Sequence, residues 1–315
     1  MPLYLDSSST NQKISKIYID SSDSVQKVVK EAWLADEAGV NRKIFSMGIP
    51  IGQLPIGSVV KDINTKYNDA VIRFIVGYKD VNAVRLITER IITLKCFDAK
   101  EPTNPNSQRK SYGNNRYSQS NIDQWLNSTA TAGTWYNARH EYDTPPASAN
   151  VSSNYYDQQP GFLVGFSEPL KNILQDDTVV IALNTVSDGG GSETITRKVR
   201  LITRTEAGKG NENGIVEGAQ WEYFKSYQNR QAFPTYEAAQ QSEYSVSASQ
   251  PWWWFLATPY IGRAGSVRFI SENDDPISFK NAYDGSGGIR PAIFLSPTTL
   301  VFPKPDTDGA YMLQF

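Results

Sequence analysis

Nucleophilic catalysis by serine or cysteine needs an imidazole base, and this chain holds a single histidine, His140. It sits in the polar run Asn137-Ala138-Arg139-His140-Glu141-Tyr142, which reads as a solvated loop. A lone imidazole there carries no mechanism. No serine has the Gly-x-Ser-x-Gly surroundings of a nucleophile elbow. The single cysteine, Cys96, ends an apolar run and reads as a buried, inert thiol. One Cys excludes a disulfide within the chain and any Cys-rich zinc module, and one His excludes a His₂ or His₃ metal centre. Carboxylates pair at Asp176-Asp177, read as a turn, and in Glu272-Asn273-Asp274-Asp275-Pro276. A glycosidase needs two carboxyls about 5–10 Å apart across a cleft, which adjacent turn residues do not supply. Glu272, Asp274 and Asp275 could hold a Ca²⁺, though without the ligand spacing of an EF-hand, and a solvated turn is the alternative. No other cofactor is implied. The run Ser187 to Ser192 has three glycines but neither a lysine nor a following helix, so it reads as a flexible hairpin tip, not a phosphate loop.

Aromatic residues are the stronger signal, at 12% of the chain with 7 Trp and 17 Tyr. Three tryptophans fall in Pro251-Trp252-Trp253-Trp254-Phe255-Leu256-Ala257-Thr258-Pro259. On a strand Trp252 and Trp254 share one face and Trp253 takes the other, so core packing on both faces is the first expectation. Loop aromatics are better candidates for ligand contact: Trp135, Tyr136, Tyr155, Tyr156 and Tyr260. Such rings give large amphipathic area at little entropic cost. Anchoring on the domain's own core is the alternative for each.

These side chains must be placed by a scaffold of 315 residues with net charge −2 and 20% charged residues. That size supports one or two domains with a real core, and the near-neutral charge argues against non-specific nucleic-acid binding. No apolar run approaches the roughly 18 residues of a membrane helix, and the opening MPLYLDSSST lacks the features of a signal peptide. Residues 1–46 contain a degenerate repeat with a period of about 15, in which Ile14–Ile19 aligns with Val29–Leu34, and they read as a small β-meander. Gly and Pro at 47–60 mark a boundary, giving 1–46 and 47–315 as the two units. Beyond it, Ala70–Tyr78 and Ala83–Lys95 read as strands, and Thr178–Val186 with Glu193–Thr203 as a hairpin. Ser120–Asn127, capped by Ser120, and Glu168–Leu174, capped by Ser167, read as short helices. A third helix is predicted over Gly218–Tyr227. Lys100–Arg116 and Tyr142–Pro160 are long polar loops, and the apolar end of 302–315 suggests a tail that docks on its own domain or on a neighbour.

The ordered motifs Ser120-Asn121-Ile122-Asp123-Gln124-Trp125-Leu126-Asn127, Trp252-Trp253-Trp254-Phe255-Leu256-Ala257-Thr258-Pro259 and Gly288-Ile289-Arg290-Pro291-Ala292-Ile293-Phe294-Leu295 resemble the domain of unknown function 6273 family over roughly residues 50–302. The family's W-W-L-R-[ST]-P strand is matched without its Arg, so no role is carried over for that residue. The resemblance implies an α+β, C-type-lectin-like domain with long loops, and a binding module, not an enzyme. It makes Trp125, Trp252, Trp254, Arg290 and Pro291 fold-defining. The amino-terminal unit is similar to repeats that open many phage tail proteins.

Together these features lead to the expectation of a structural protein of a phage or phage-tail-like particle, made in the bacterial cytoplasm. Its foremost form is a tail-fibre or baseplate receptor-binding protein. Residues 1–46 would contact other virion proteins, and the larger domain would bind a host-surface glycan or protein. Homo-oligomerisation is expected by analogy with tail fibres, which are commonly trimeric. A capsid decoration or head-fibre protein is the alternative. A glycan depolymerase using Asp274 or Asp275 is a third.

Overall fold

A computed structural model of the protein describes residues 48–273 and 279–315, and, before them, the backbone of four strands. Of these, β1 (Tyr18–Ile19) pairs antiparallel with β2 (Lys27–Val28), and β3 (Glu31–Ala35) with β4 (Asn41–Ser46). The rest of the expected segment 1–46 lies outside the described residues.

From residue 48 the chain runs through β5 (Ile49–Pro50), β6 (Val59–Tyr67), β7 (Ala70–Lys79), β8 (Val84–Thr88) and β9 (Thr93–Leu94). Short helices α1 (Ser107–Tyr112), α2 (Asn121–Leu126) and α3 (Glu168–Ile173) follow, then β10 (Asp177–Ala182), β11 (Ser192–Arg197) and β12 (Val199–Arg200). Helix α4 (Tyr236–Gln241) precedes β13 (Trp254–Pro259), β14 (Ser266–Ile270), β15 (Phe279–Asn281), β16 (Gly288–Ile289), β17 (Ala292–Leu295), β18 (Leu300–Val301) and β19 (Tyr311–Gln314). The architecture is α+β. One sheet has the order β12-β17-β8-β7-β6-β19-β18-β5 and a second β15-β14-β13-β16-β9, with β10–β11 as a separate hairpin.

The central strands of both main sheets are buried on both faces, as their alternation shows, while the second half of β6 exposes Ile63, Asn64 and Lys66. In β7, Ile72, Phe74 and Val76 enter one core cluster while Ile75 enters the other. Around β13, Trp253, Phe255 and Ala257 point to the first cluster, Trp254 and Leu256 to the second. Trp252 lies just before the strand, is half-buried, and packs against both clusters, so it does not simply share a face with Trp254. Gly77 leaves room in β7 for the indole of Trp221, whose Cε3 lies 2.4 Å from where a Cβ would stand. Gly77→Ala should therefore cost about 1–3 kcal/mol, read as a lower denaturant midpoint with unchanged slope.

Local signals hold where the chain is capped. Ser120 accepts from the amide of Asp123 to start α2, and Ser167 accepts from Leu170 to start α3, with Pro169 in its first turn. Several expectations need correcting. The apolar run Ala83–Lys95 is not one strand: β8 ends at Thr88 and β9 belongs to the other sheet. No α-helix spans Gly218–Tyr227. Gly218 has φ +90, and two 3₁₀ turns, Glu222–Lys225 and Tyr227–Arg230, follow. Their tight geometry puts Trp221 and Phe224, three residues apart, into the same cluster. Asp177 is not in a turn. It opens β10 and is buried against Arg85 and Arg200. The glycine-rich hairpin tip is pinned by Arg109, whose Nη2 donates to both carboxylate oxygens of Asp188 at 2.6 and 2.8 Å. The segment Lys100–Arg116 contains α1, capped by Asn106.

The carboxyl-terminal residues dock on their own domain. Strand β19 lies between β18 and β6, parallel to β6. Lys61 Nζ clamps its approach, 2.8 Å from Asp306 and 2.9 Å from Asp308. Among the described residues no helix is long and apolar enough to cross a membrane.

Candidate functional site

Two of the loop aromatics expected to touch a ligand are structural. Trp135 is buried, stacks on Tyr156 at 5.4 Å with the ring planes 3° apart, and donates its indole N–H to the carbonyl of Tyr156. Tyr156 is fully buried and donates its hydroxyl to the carbonyl of Cys96. Both rings are consumed by the core, together with Trp125, so neither is a ligand platform. Tyr136 is half-buried, set edge-on to Trp135, and its phenol is raised by burial and by Asp143, Asp98 and Glu101. Tyr260 is covered on its two faces by Phe279, stacked at 4.4 Å, and by the guanidinium of Arg268. Tyr155 is 48% exposed. His140 is less solvated than expected, its Nε2 lying 3.2 Å from the buried Glu101. Cys96 is a buried free thiol, pushed well up by burial and then by Asp98.

Of the residues expected to define the fold, Trp125, Trp254, Arg290 and Pro291 are buried, while Trp252 is half-buried. Trp125 and Trp254 are fully buried. Arg290 is buried beside the rings of Phe224 and Trp254, its guanidinium carbon 5.6 and 5.3 Å from their centres, and donates through Nε to the carbonyl of Thr88. The carbonyl of Pro291 accepts from the amide of Thr88. Burial lowers the Arg290 guanidinium.

What the fold leaves open is a surface groove of about 580 Å³ in front of β13 and β14, lined by Tyr244, Trp252, Trp253, Phe269, Lys280 and Ser286 among others. Trp252 is fixed at both ends of its residue: its amide donates to the carbonyl of Ala232, and its indole donates to that of Ser286 at 2.8 Å. Trp253 meets Phe269 edge to face at 5.1 Å, with Lys280 Nζ 5.4 Å above the indole. Asp284 and Glu272 add acceptors at the rim. Glu272 thus comes to the groove, while its calcium partners Asp274 and Asp275 lie outside the described residues. Among the described residues no group of three or more His, Cys, Asp or Glu is placed to hold a metal.

A second, deeper pocket of about 220 Å³ opens beside it, between β9 and α4. Its base is Lys95, 1% exposed, with Nζ 2.5 Å from Gln159 Oε1 and 4.8 and 4.7 Å from the ring centres of Trp125 and Tyr156. Burial brings this amine down from the ordinary 10.5 to about 7. Tyr155, Asn154, Gln241 and Ser242 line the walls. Lys95 carried no sequence signal, because what isolates it comes from residues some 30 to 60 positions downstream.

Residues 82–297 match the family described as a domain of unknown function (DUF6273). The chain belongs to the DUF6273 family. No curated protein and no solved structure matches it. The DUF6273 region runs from just before β8 to just after β17, so it contains nearly all of the groove and pocket lining, including Trp252, Trp253 and Lys95. It supplies only β8, β12 and β17 of the eight-stranded sheet, and β5, β6, β7, β18 and β19 come from its flanks.

Proposed function

We propose that this DUF6273 protein is a receptor-binding component of a phage or phage-tail-like particle. The segment before residue 47 attaches it, and the domain recognises a glycan on the bacterial surface through the Trp252 groove. The observation that carries the glycan assignment is the groove itself. The half-buried indole of Trp252 and ring of Phe269 are held beside Lys280, which can donate to hydroxyls, and Asp284, which can accept from them. A sugar ring presents apolar C–H faces and a polar edge, and such a mixed wall suits both. The attachment role is supported by the resemblance of residues 1–46 to phage tail repeats and by the two strand pairs within them. The domain is assigned a C-type-lectin-like fold. The pairing of the Trp-rich β13 with β16, which leads into Arg290-Pro291, supports that assignment.

The full chain should bind at least one member of a panel of bacterial wall and capsular polysaccharides. Trp252→Ala and Tyr244→Ala should each weaken that binding by about tenfold or more. Tyr244 is 41% exposed, so its truncation leaves the core intact. Absence of binding across the panel, or parent-like binding by both variants, sinks the glycan assignment. Gold labelling of intact particles tests placement: label on the head instead of the tail tip favours a decoration protein.

A further inference from the structure

We propose that Lys95 is the charge-recognising group of a second binding pocket, which takes the carboxylate or phosphate of a single acidic sugar unit. This deepens the glycan assignment and rests on it only for the longer chain that would carry the unit.

A buried ammonium needs a counter-charge, or it tends to lose its proton. Around Lys95 every contact is neutral: Gln159 Oε1 and the faces of Trp125 and Tyr156. Among the described residues no carboxylate lies within ion-pair distance of it. The neighbouring acids do not help, because burial holds the thiol of Cys96 and the phenols of Tyr67 and Tyr156 protonated, Tyr67 being pushed up to about 12. The amine accordingly falls to about 7. One of its contacts is replaceable. Gln159 is an exposed residue lining the same pocket, so its side chain can swing out, giving up its hydrogen bond from Lys95 and a 3.5 Å contact with the Tyr67 hydroxyl. An anionic oxygen in its place would give the ammonium the charge partner the protein does not supply. The other walls offer the amide of Gln241 and the hydroxyl of Ser242, which suit ring hydroxyls, while Asn154 is spent on Gly285, Ser242 and Glu243. The pocket holds about 220 Å³, room for a single sugar ring. Glu243 stands exposed at the mouth and opposes an acid left there, which favours a unit whose acid reaches the base. Ser242 and Glu243 line this pocket and Tyr244 lines the groove, so one short wall separates the two.

An anion bound to Lys95 raises its pKa. Binding therefore takes up a proton, and affinity falls by up to about tenfold per pH unit once pH rises through about 7. The test is calorimetric titration of the full chain with glucuronate, glucose 6-phosphate and glucose at pH 6 and pH 8.5. At least one acid should bind tenfold or more tighter than glucose at pH 6, and the two acids separate carboxylate from phosphate. Glucuronate should lose affinity at pH 8.5, and Lys95→Met should abolish the preference over glucose. Near-UV circular dichroism checks that this variant is folded, and Gln159→Ala should retain the preference. Equal binding of glucose and both acids, or a preference that survives in Lys95→Met, overturns the proposal. Acid binding that persists when polysaccharide binding is absent removes the groove assignment alone. Polysaccharide binding without acid preference removes this one alone.

Discussion

Arg200→Met should lower the unfolding free energy by about 3–5 kcal/mol, because it strips a buried cation from two buried carboxylates. Arg200 is fully buried, and its guanidinium donates to Glu206 through Nη1 and Nη2, each at 2.6 Å, and to Asp177 through Nε and Nη2 at 3.1 and 2.6 Å. Asp177 keeps Arg85 after the substitution. Glu206 keeps only the amide of Thr203 and the indole N–H of Trp221, with no cation. The loss is thus concentrated on Glu206. Adding Glu206→Gln to Arg200→Met should recover part of it, a non-additivity readable in a double-mutant cycle. Urea titration of the two single variants and the double variant measures this, and thermal midpoints should fall by about 10 °C in the single Arg variant. A cost below about 1 kcal/mol for Arg200→Met would show that the cluster relaxes or admits water.

The opposite sign is expected at Lys95. Lys95→Met should stabilise the domain at pH 7 by on the order of 3 kcal/mol. In the folded protein burial lowers this amine from 10.5 to about 7. Between those values the unfolded chain carries a proton that the native state has released, so the contribution of Lys95 to stability rises with pH from about 7 to about 10.5. The gain from removing the amine is accordingly largest at and below neutral pH and vanishes toward pH 10.5. Glu217 works in the neighbouring window. Burial raises its carboxyl from 4.5 to about 7, against hydrogen bonds from the amide of Ala182 and the hydroxyl of Thr258. There the native state holds the extra proton, and stability falls as pH rises from about 4.5 to about 7. Together the two groups give a minimum near neutrality. Denaturation curves at half-unit steps from pH 4 to pH 10.5 should show Lys95→Met flattening the alkaline limb and Glu217→Gln the acid limb. Parent-like slopes in either variant would place the proton elsewhere.

What the sequence disclosed was local. Ser120 and Ser167 cap their helices through side-chain bonds spanning three residues, and a window of that width suffices to read them. The alternation through Trp253, Trp254 and Phe255 likewise needs only the strand itself. Contacts over longer separations were hidden. Trp135 and Tyr155 are both loop aromatics, but only the fold reveals that one stacks on Tyr156 and the other stays open. The run around Thr88–Thr93 is apolar on both sides of the chain's passage from one sheet to the other, so hydrophobicity alone gave no sign of the break. Lys95 looked like an ordinary charged residue at a strand end, since its isolation is made by Trp125, Tyr156 and Gln159.

The pairing of β5 with β18, and of β19 with both β18 and β6, has a further consequence. The two ends of the larger unit meet on one sheet, so closely that a Cβ on Gly48 would sit against the Gln314 side chain. A unit whose entrance and exit adjoin behaves as a cassette. It can be spliced into a surface loop of another protein, or strung between neighbours, without prising its core apart. Since five of the eight strands of that sheet flank the DUF6273 region, cutting at the family limits would remove the clasp that joins the ends.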